Sequence, residues 1–220
     1  MLRAWSRVEA ALGRVLPASL PLLAPPADEE AVDALESALG VPLPPDFRAS
    51  LLVHNGTTWG GRPWPVPLEV LYDTEQIASV TREWRDISGP DPEWDDPRVW
   101  AWQIDENDIW VSGAVRPTSY GTDRIIIGTM NGDVNWFLDL DPPPGGTPGQ
   151  VVRIDQECMQ WDVLAPSWTD LLLRYADALD AGTVDLEPEY GPAPEWGTTI
   201  GERVTRPPWL RDMEARDPHA

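Results

Sequence analysis

The chain has 220 residues and a formal charge of -21, from 37 acidic side chains against 16 basic ones, all of them arginine. That length suits one domain with added segments, able to bury roughly 70% of its unfolded surface. Such a balance disfavours direct binding to nucleic acid or to anionic membranes and draws in basic proteins, although solubility alone accounts for the same charge.

Trp5, Val8, Leu12 and Val15 recur at helical spacing and predict an amphipathic helix closed by Pro17. Arg3, Arg7, Glu9 and Arg14 break up this segment, unlike the continuous apolar run of a signal peptide, and no later run approaches the about 20 residues needed to cross a bilayer. The expectation is a soluble, cytoplasmic protein. Asp28 is placed to cap a second helix through Leu39, with Glu29 and Glu30 in its first turn and Val32, Leu35 and Leu39 facing the core. Gly40 supplies the left-handed stop, and Pro44-Pro45 start a third helix to about His54, with Phe47, Leu51 and His54 on one face. Asn55-Gly56 is expected to end it. The stretch GTTWGGRPWPVP then reads as a loop carrying Trp59 and Trp64.

Asp73 and Gln76 form a capping-box pair at the start of the next helix, with Tyr72 stapled to Ile77 and a buried stripe through Val80 and Trp84. DISGPDPEWDDP is too acidic and too rich in proline for regular structure and predicts an exposed loop. The pattern then turns to β: VWAWQI, IWVSGAV, RIIIGTM, DVNWFLDL and QVVRID are short branched and aromatic runs, followed by one from Met159 to Leu164. Asn131-Gly132 is the hairpin signal of a type I′ turn, so an antiparallel meander is expected. Trp168, Leu171, Leu172, Tyr175 and Leu179 trace a closing helix ended by Gly182. This order of elements predicts an α+β fold, a mostly antiparallel sheet of about five to six strands with helices packed on one face. The domain plan is an N-terminal helix and Pro-rich bridge over 1–24, one domain over 25–182, and an acidic, Pro-rich, loosely ordered tail over 183–220, in which Trp196 and Trp209 are expected to dock back.

Chemistry-bearing residues are few. With only His54 and His219, and no HExxH, CxxC, GxSxG, Walker or GxGxxG spacing, no catalytic residues, metal site or cofactor are assigned. His54 is expected to pack at a helix end against a terminal carbonyl. Asp139 and Asp141, with Asp133, could gather a hard cation, but a solvated strand end and turn explain the same residues and are the preferred reading. The single cysteine, Cys158, excludes an internal disulfide, suits a reducing compartment and is expected to be a half-buried structural thiol. Thirteen tryptophans make aromatic recognition worth weighing. Trp5, Trp84, Trp136 and Trp168 fall in periodic, core-type positions. Trp59, Trp64 and Trp94 fall in loops, where tryptophan serves as a contact hot spot, and Asp91, Glu93, Asp95, Asp96, Asp105, Glu106 and Asp108 supply a charged rim or a plain solvated surface.

PPADEEAVDALESALGVPLPPDFRASLLVHNG, then YGTDRIIIG, FLDLDPPPGG, GQVV and APSWTDLLLRYADAL, together resemble the SUKH superfamily in its SMI/KNR form, from about Pro25 to Gly182. The departure is Thr122, which separates Gly121 from Asp123 where the family has them adjacent. The resemblance makes Gly40, Leu43, Pro44, Phe47, Asn55 and Gly56 a structural family motif. It implies an α+β domain without an established catalytic centre, and in bacteria an immunity protein that neutralises a polymorphic toxin, often a nuclease, by binding it. A basic toxin domain is the partner so implied. The alternative it implies is a regulatory or scaffold protein linked to the cell wall or to signalling.

Overall fold

Helix α1 (Leu2–Val15) buries Trp5, Val8 and Leu12 on one face, as their spacing dictates. The computed structural model to which it belongs describes residues 1–88, 100, 109–117, 123–193, 196–197 and 208–214. A short 3-10 turn, Pro17–Leu22, leads to α2 (Glu29–Leu39). The Asp28 side chain accepts from the Ala31 amide at the start of α2, and Gly40 ends it at φ +72°. Helix α3 (Pro45–Leu51) stops a turn earlier than expected. The Val53 and His54 amides both donate to the Ser50 carbonyl, which closes the helix before His54 can join its face. Helix α4 (Thr74–Ser88) begins with the expected reciprocal box: the Asp73 amide donates to Gln76 Oε1 at 3.0 Å, and the Gln76 amide to Asp73 Oδ1 at 2.8 Å.

Six strands form the sheet: β1 (Val70–Leu71), β2 (Trp110–Ser112), β3 (Arg124–Met130), β4 (Val134–Asp139), β5 (Gln150–Asp155) and β6 (Gln160–Ala165). Their order is β1-β3-β4-β5-β6-β2. The meander from β3 to β6 is antiparallel, and Asn131 and Gly132 turn its first hairpin at φ +54° and +85°. Strand β2 instead joins β6 in parallel, and the long chain between them permits that crossover. Strand β1, between the predicted loop and the Asp73 cap where no element was expected, pairs with β3. The fold is therefore the α+β arrangement predicted, with a mostly antiparallel six-stranded sheet and helices packed around it.

Side chains alternate across a strand, so the register assigns the two faces. Ile125, Trp136, Leu138, Val151 and Arg153 share one face, and Ile126, Phe137, Val152, Ile154 and Trp161 share the other. All of these are buried, which is why the strands read as near-continuous apolar runs. Helix α5 (Trp168–Ala181), capped by Ser167 and ended by Gly182 at φ +66°, packs alongside α1 and against β5 and β6.

The chain beyond Gly182 is docked wherever it is described. A two-stranded ribbon, β7 (Leu186–Glu187) with β8 (Gly191–Pro192), is followed by the short helix α6 (Pro208–Glu214). Trp209 Nε1 donates to the Gly113 carbonyl at 3.2 Å and its ring meets Trp100 edge-on, while Trp196 meets Tyr175 with centroids 5.1 Å apart.

Candidate partner-binding surface

The family-motif residues hold the helices to the sheet. Phe47 meets Trp168 edge-on at 5.4 Å. Leu43 is buried and its amide donates to Glu36 Oε1. Pro44 lies against Gly149, so that a Cβ there would sit 3.0 Å from the proline ring. Asn55 Oδ1 accepts from the Thr74 amide, tying the end of the α3 segment to the start of α4. Gly56, at φ +78°, lies so close to β1 that a Cβ would come within 2.6 Å of the Leu71 carbonyl oxygen. Between α1, α3 and α5, Ser50 Oγ accepts from both Trp5 Nε1 (2.8 Å) and Trp168 Nε1 (2.7 Å). A cavity of about 10 Å³ beside it is water-sized, too small for a substrate.

His54 lies beyond α3. Its Nδ1 is 2.9 Å from the Ala24 carbonyl and its Nε2 is 2.7 Å from Glu9 Oε1, with Trp5 edge-on at 4.8 Å. His54 packs as expected, but the carbonyl it meets belongs to the bridge before α2 and not to a helix terminus, and a carboxylate from α1 joins it. Asp139 is buried, accepts from Gln150 Nε2 at 3.2 Å and is held above the ordinary carboxylate range by burial, against the pull of Arg124 and Gln150. Asp141 instead pairs with Arg116, and Asp133 is exposed, so the three do not converge. Among the described residues no cluster of three His, Cys, Asp or Glu side chains is arranged to hold a metal ion. Cys158 is exposed rather than half-buried, because it sits in the β5–β6 turn, where the nearby Asp155 carboxylate pushes the thiol pKa up.

Trp59 is 60% exposed. Its loop is anchored by the Thr58 amide, which donates to the Leu22 carbonyl, and by Gly61 packed on the Leu22 side chain. Trp64 corrects the expectation for that loop: it is buried, because Tyr190 and Gly191 of the C-terminal ribbon close over it. The Trp64 amide donates to the Tyr190 carbonyl at 2.7 Å, and the exposed Arg62 stacks on the Tyr190 ring at 4.3 Å and on Trp64 at 5.3 Å. Asp91, Glu93, Trp94, Asp95, Asp96, Asp105, Glu106 and Asp108 lie outside the described residues. Of the expected contact residues the structure therefore places two, Trp59 at the surface and Trp64 beneath Tyr190. Sequence reasoning missed Arg62 and Tyr190. The one signal for Tyr190 was its place before a Gly-Pro pair, which marks a turn and not a docking site.

Several of the described arginines are tied to other groups of the chain, some at the surface and some buried. Arg7 reaches Asp177, Arg14 reaches Asp180, and Arg48 bridges Glu29 and Asp33 at 2.7 and 2.5 Å, which raises its pKa. Arg85 and Arg174 donate to the Leu39 and Leu164 carbonyls, and Arg153 is buried against Asp155. Among the described residues no helix is long and apolar enough to cross a membrane.

Residues 26–174 match the SMI1 / KNR4 family (SUKH-1). The chain is also similar to the cell wall biosynthesis/cell cycle regulator smi1 of Schizosaccharomyces pombe, with 31% identity over 157 residues, which is 69% of this chain and 30% of that protein. It thus spans about a third of that relative's length.

Proposed function

The chain belongs to the SMI1 / KNR4 family (SUKH-1), and from that premise we propose that it acts without catalysis, as a cytoplasmic immunity protein that binds a basic toxin domain one to one. Nuclease domains are the leading class, since a cleft built for phosphates is also a cleft for a carboxylate-rich protein. The observation that carries this reading is the charge balance: 37 acids stand against 16 arginines, and arginines of α1, α3, α4, α5 and β5 are already tied to carboxylates and carbonyls of this chain. Such a balance speeds encounter with a basic partner and discriminates against acidic ones.

A second reading, a regulatory or scaffold protein, is favoured by the similarity to a fungal cell-wall and cell-cycle regulator. The two share a mechanism and differ in partner. Affinity capture on the full chain, with protection assays against the captured protein, separates them. Recovery of a toxin whose lethality the chain suppresses supports immunity, whereas recovery of kinases or envelope-synthesis factors without protection supports regulation.

A further inference from the structure

We infer that the C-terminal ribbon and the Trp59 loop together form one binding face, and that this face takes an arginine-bearing segment of the partner protein. The inference rests on the binding role proposed above and adds where binding occurs and what chemistry is read. Trp59 and Arg62 are three residues apart, so their Cα atoms lie within about 11 Å of each other. Arg62 in turn stacks on Tyr190, which keeps 37% of its own surface exposed. The two segments are locked together by the Trp64 amide bond to the Tyr190 carbonyl and by Gly191, where a Cβ would sit 2.5 Å from the Trp64 carbonyl oxygen. The face is thus pre-formed, and binding it needs little further ordering.

Its chemistry selects a guanidinium. Arg62 on the Tyr190 ring shows in cis that this ring holds a guanidinium by its face, and Trp59, three residues before Arg62, offers a further, largely exposed indole. Glu187 and Glu189 of the ribbon are exposed beside Tyr190 and supply the complementary charge. Lysine, a compact and strongly hydrated charge, gains less from stacked rings than planar arginine does. The ribbon lies outside residues 26–174, so the family match does not contain this half of the face.

The test titrates the full chain with hexa-arginine and with hexa-lysine at about 0.15 M salt, following backbone amide and indole resonances. The arginine peptide is expected to bind at least about threefold more tightly than the lysine peptide and to move signals of Thr58 to Arg62 and of Glu187 to Gly191. Trp59→Ser is expected to weaken it about tenfold, and Glu187→Gln with Glu189→Gln about threefold with a shallower salt dependence. Glu75→Gln with Glu83→Gln, on exposed positions of α4, leaves binding unchanged. Equal affinity for both peptides with shifts spread over the whole acidic surface overturns the inference, as does unaltered binding by Trp59→Ser. If a toxin is captured and Trp59→Ser still neutralises it at full affinity, the inference fails and the immunity reading stands. If capture yields no toxin while the peptide result holds, the face stands and the immunity reading falls.

Discussion

Ser50 shows how much one small side chain carries. Its hydroxyl receives two buried indole N–H groups, from helices α1 and α5, which are far apart along the chain. Ser50→Ala leaves both without an acceptor and is expected to cost about 2–6 kcal/mol in urea unfolding, since each buried unmet donor costs about 1–3. Removing the Arg48 ties, which are solvent-screened surface ion pairs, is expected to leave the urea midpoint close to the parent's. Asp139 carries the opposite sign from most carboxylates. Burial raises its folded pKa above the unfolded value, so its contribution to stability is greatest below the ordinary carboxylate range and falls as pH rises through the raised folded pKa. Asp139→Asn is expected to remove that fall: the difference in stability between variant and parent should shift in the variant's favour as pH rises from about 3 to 7. A difference that stays flat with pH contradicts it.

Among the elements, those with local punctuation were legible in the sequence and those depending on distant partners were not. The Asp28 cap, the Asp73–Gln76 box, the Asn131-Gly132 turn and the Gly182 stop all form as their residue types dictate, because each is closed by bonds within a few residues. Strand β1 escaped detection because two residues carry no period, and β3 alone defines them as a strand. The parallel pairing of β2 was likewise hidden, since register across a long crossover leaves no local trace. Trp64 was misjudged for the same reason: Gly and Pro neighbours mark a loop but do not reveal that Tyr190, far along the chain, closes over it. Gly56 joins the two categories, being legible as a stop yet serving as the seat for β1. Gly56→Ala is expected to destabilise by more than about 3 kcal/mol, with loss of amide protection concentrated in β1 and the start of α4. Uniformly retained protection there contradicts that role.

At the scale of the molecule, the account depends on where the charges point. A chain with 37 acids and 16 arginines keeps a large acidic excess at its surface, because the ion pairs that tie α1 to α5 and α3 to α2 each neutralise only one carboxylate per arginine charge. The family match explains the sheet and its helices, while α1 and the C-terminal ribbon lie beyond residues 26–174 and are packed onto the same core. The central claim is stoichiometric binding of a basic protein. The measurement that tests it most directly is calorimetric titration of the full chain against the partner recovered by affinity capture, at low and high salt. The account predicts a one-to-one complex with a basic protein whose affinity falls steeply as salt rises; a neutral or acidic partner, or inhibition at substoichiometric amounts of this chain, contradicts it.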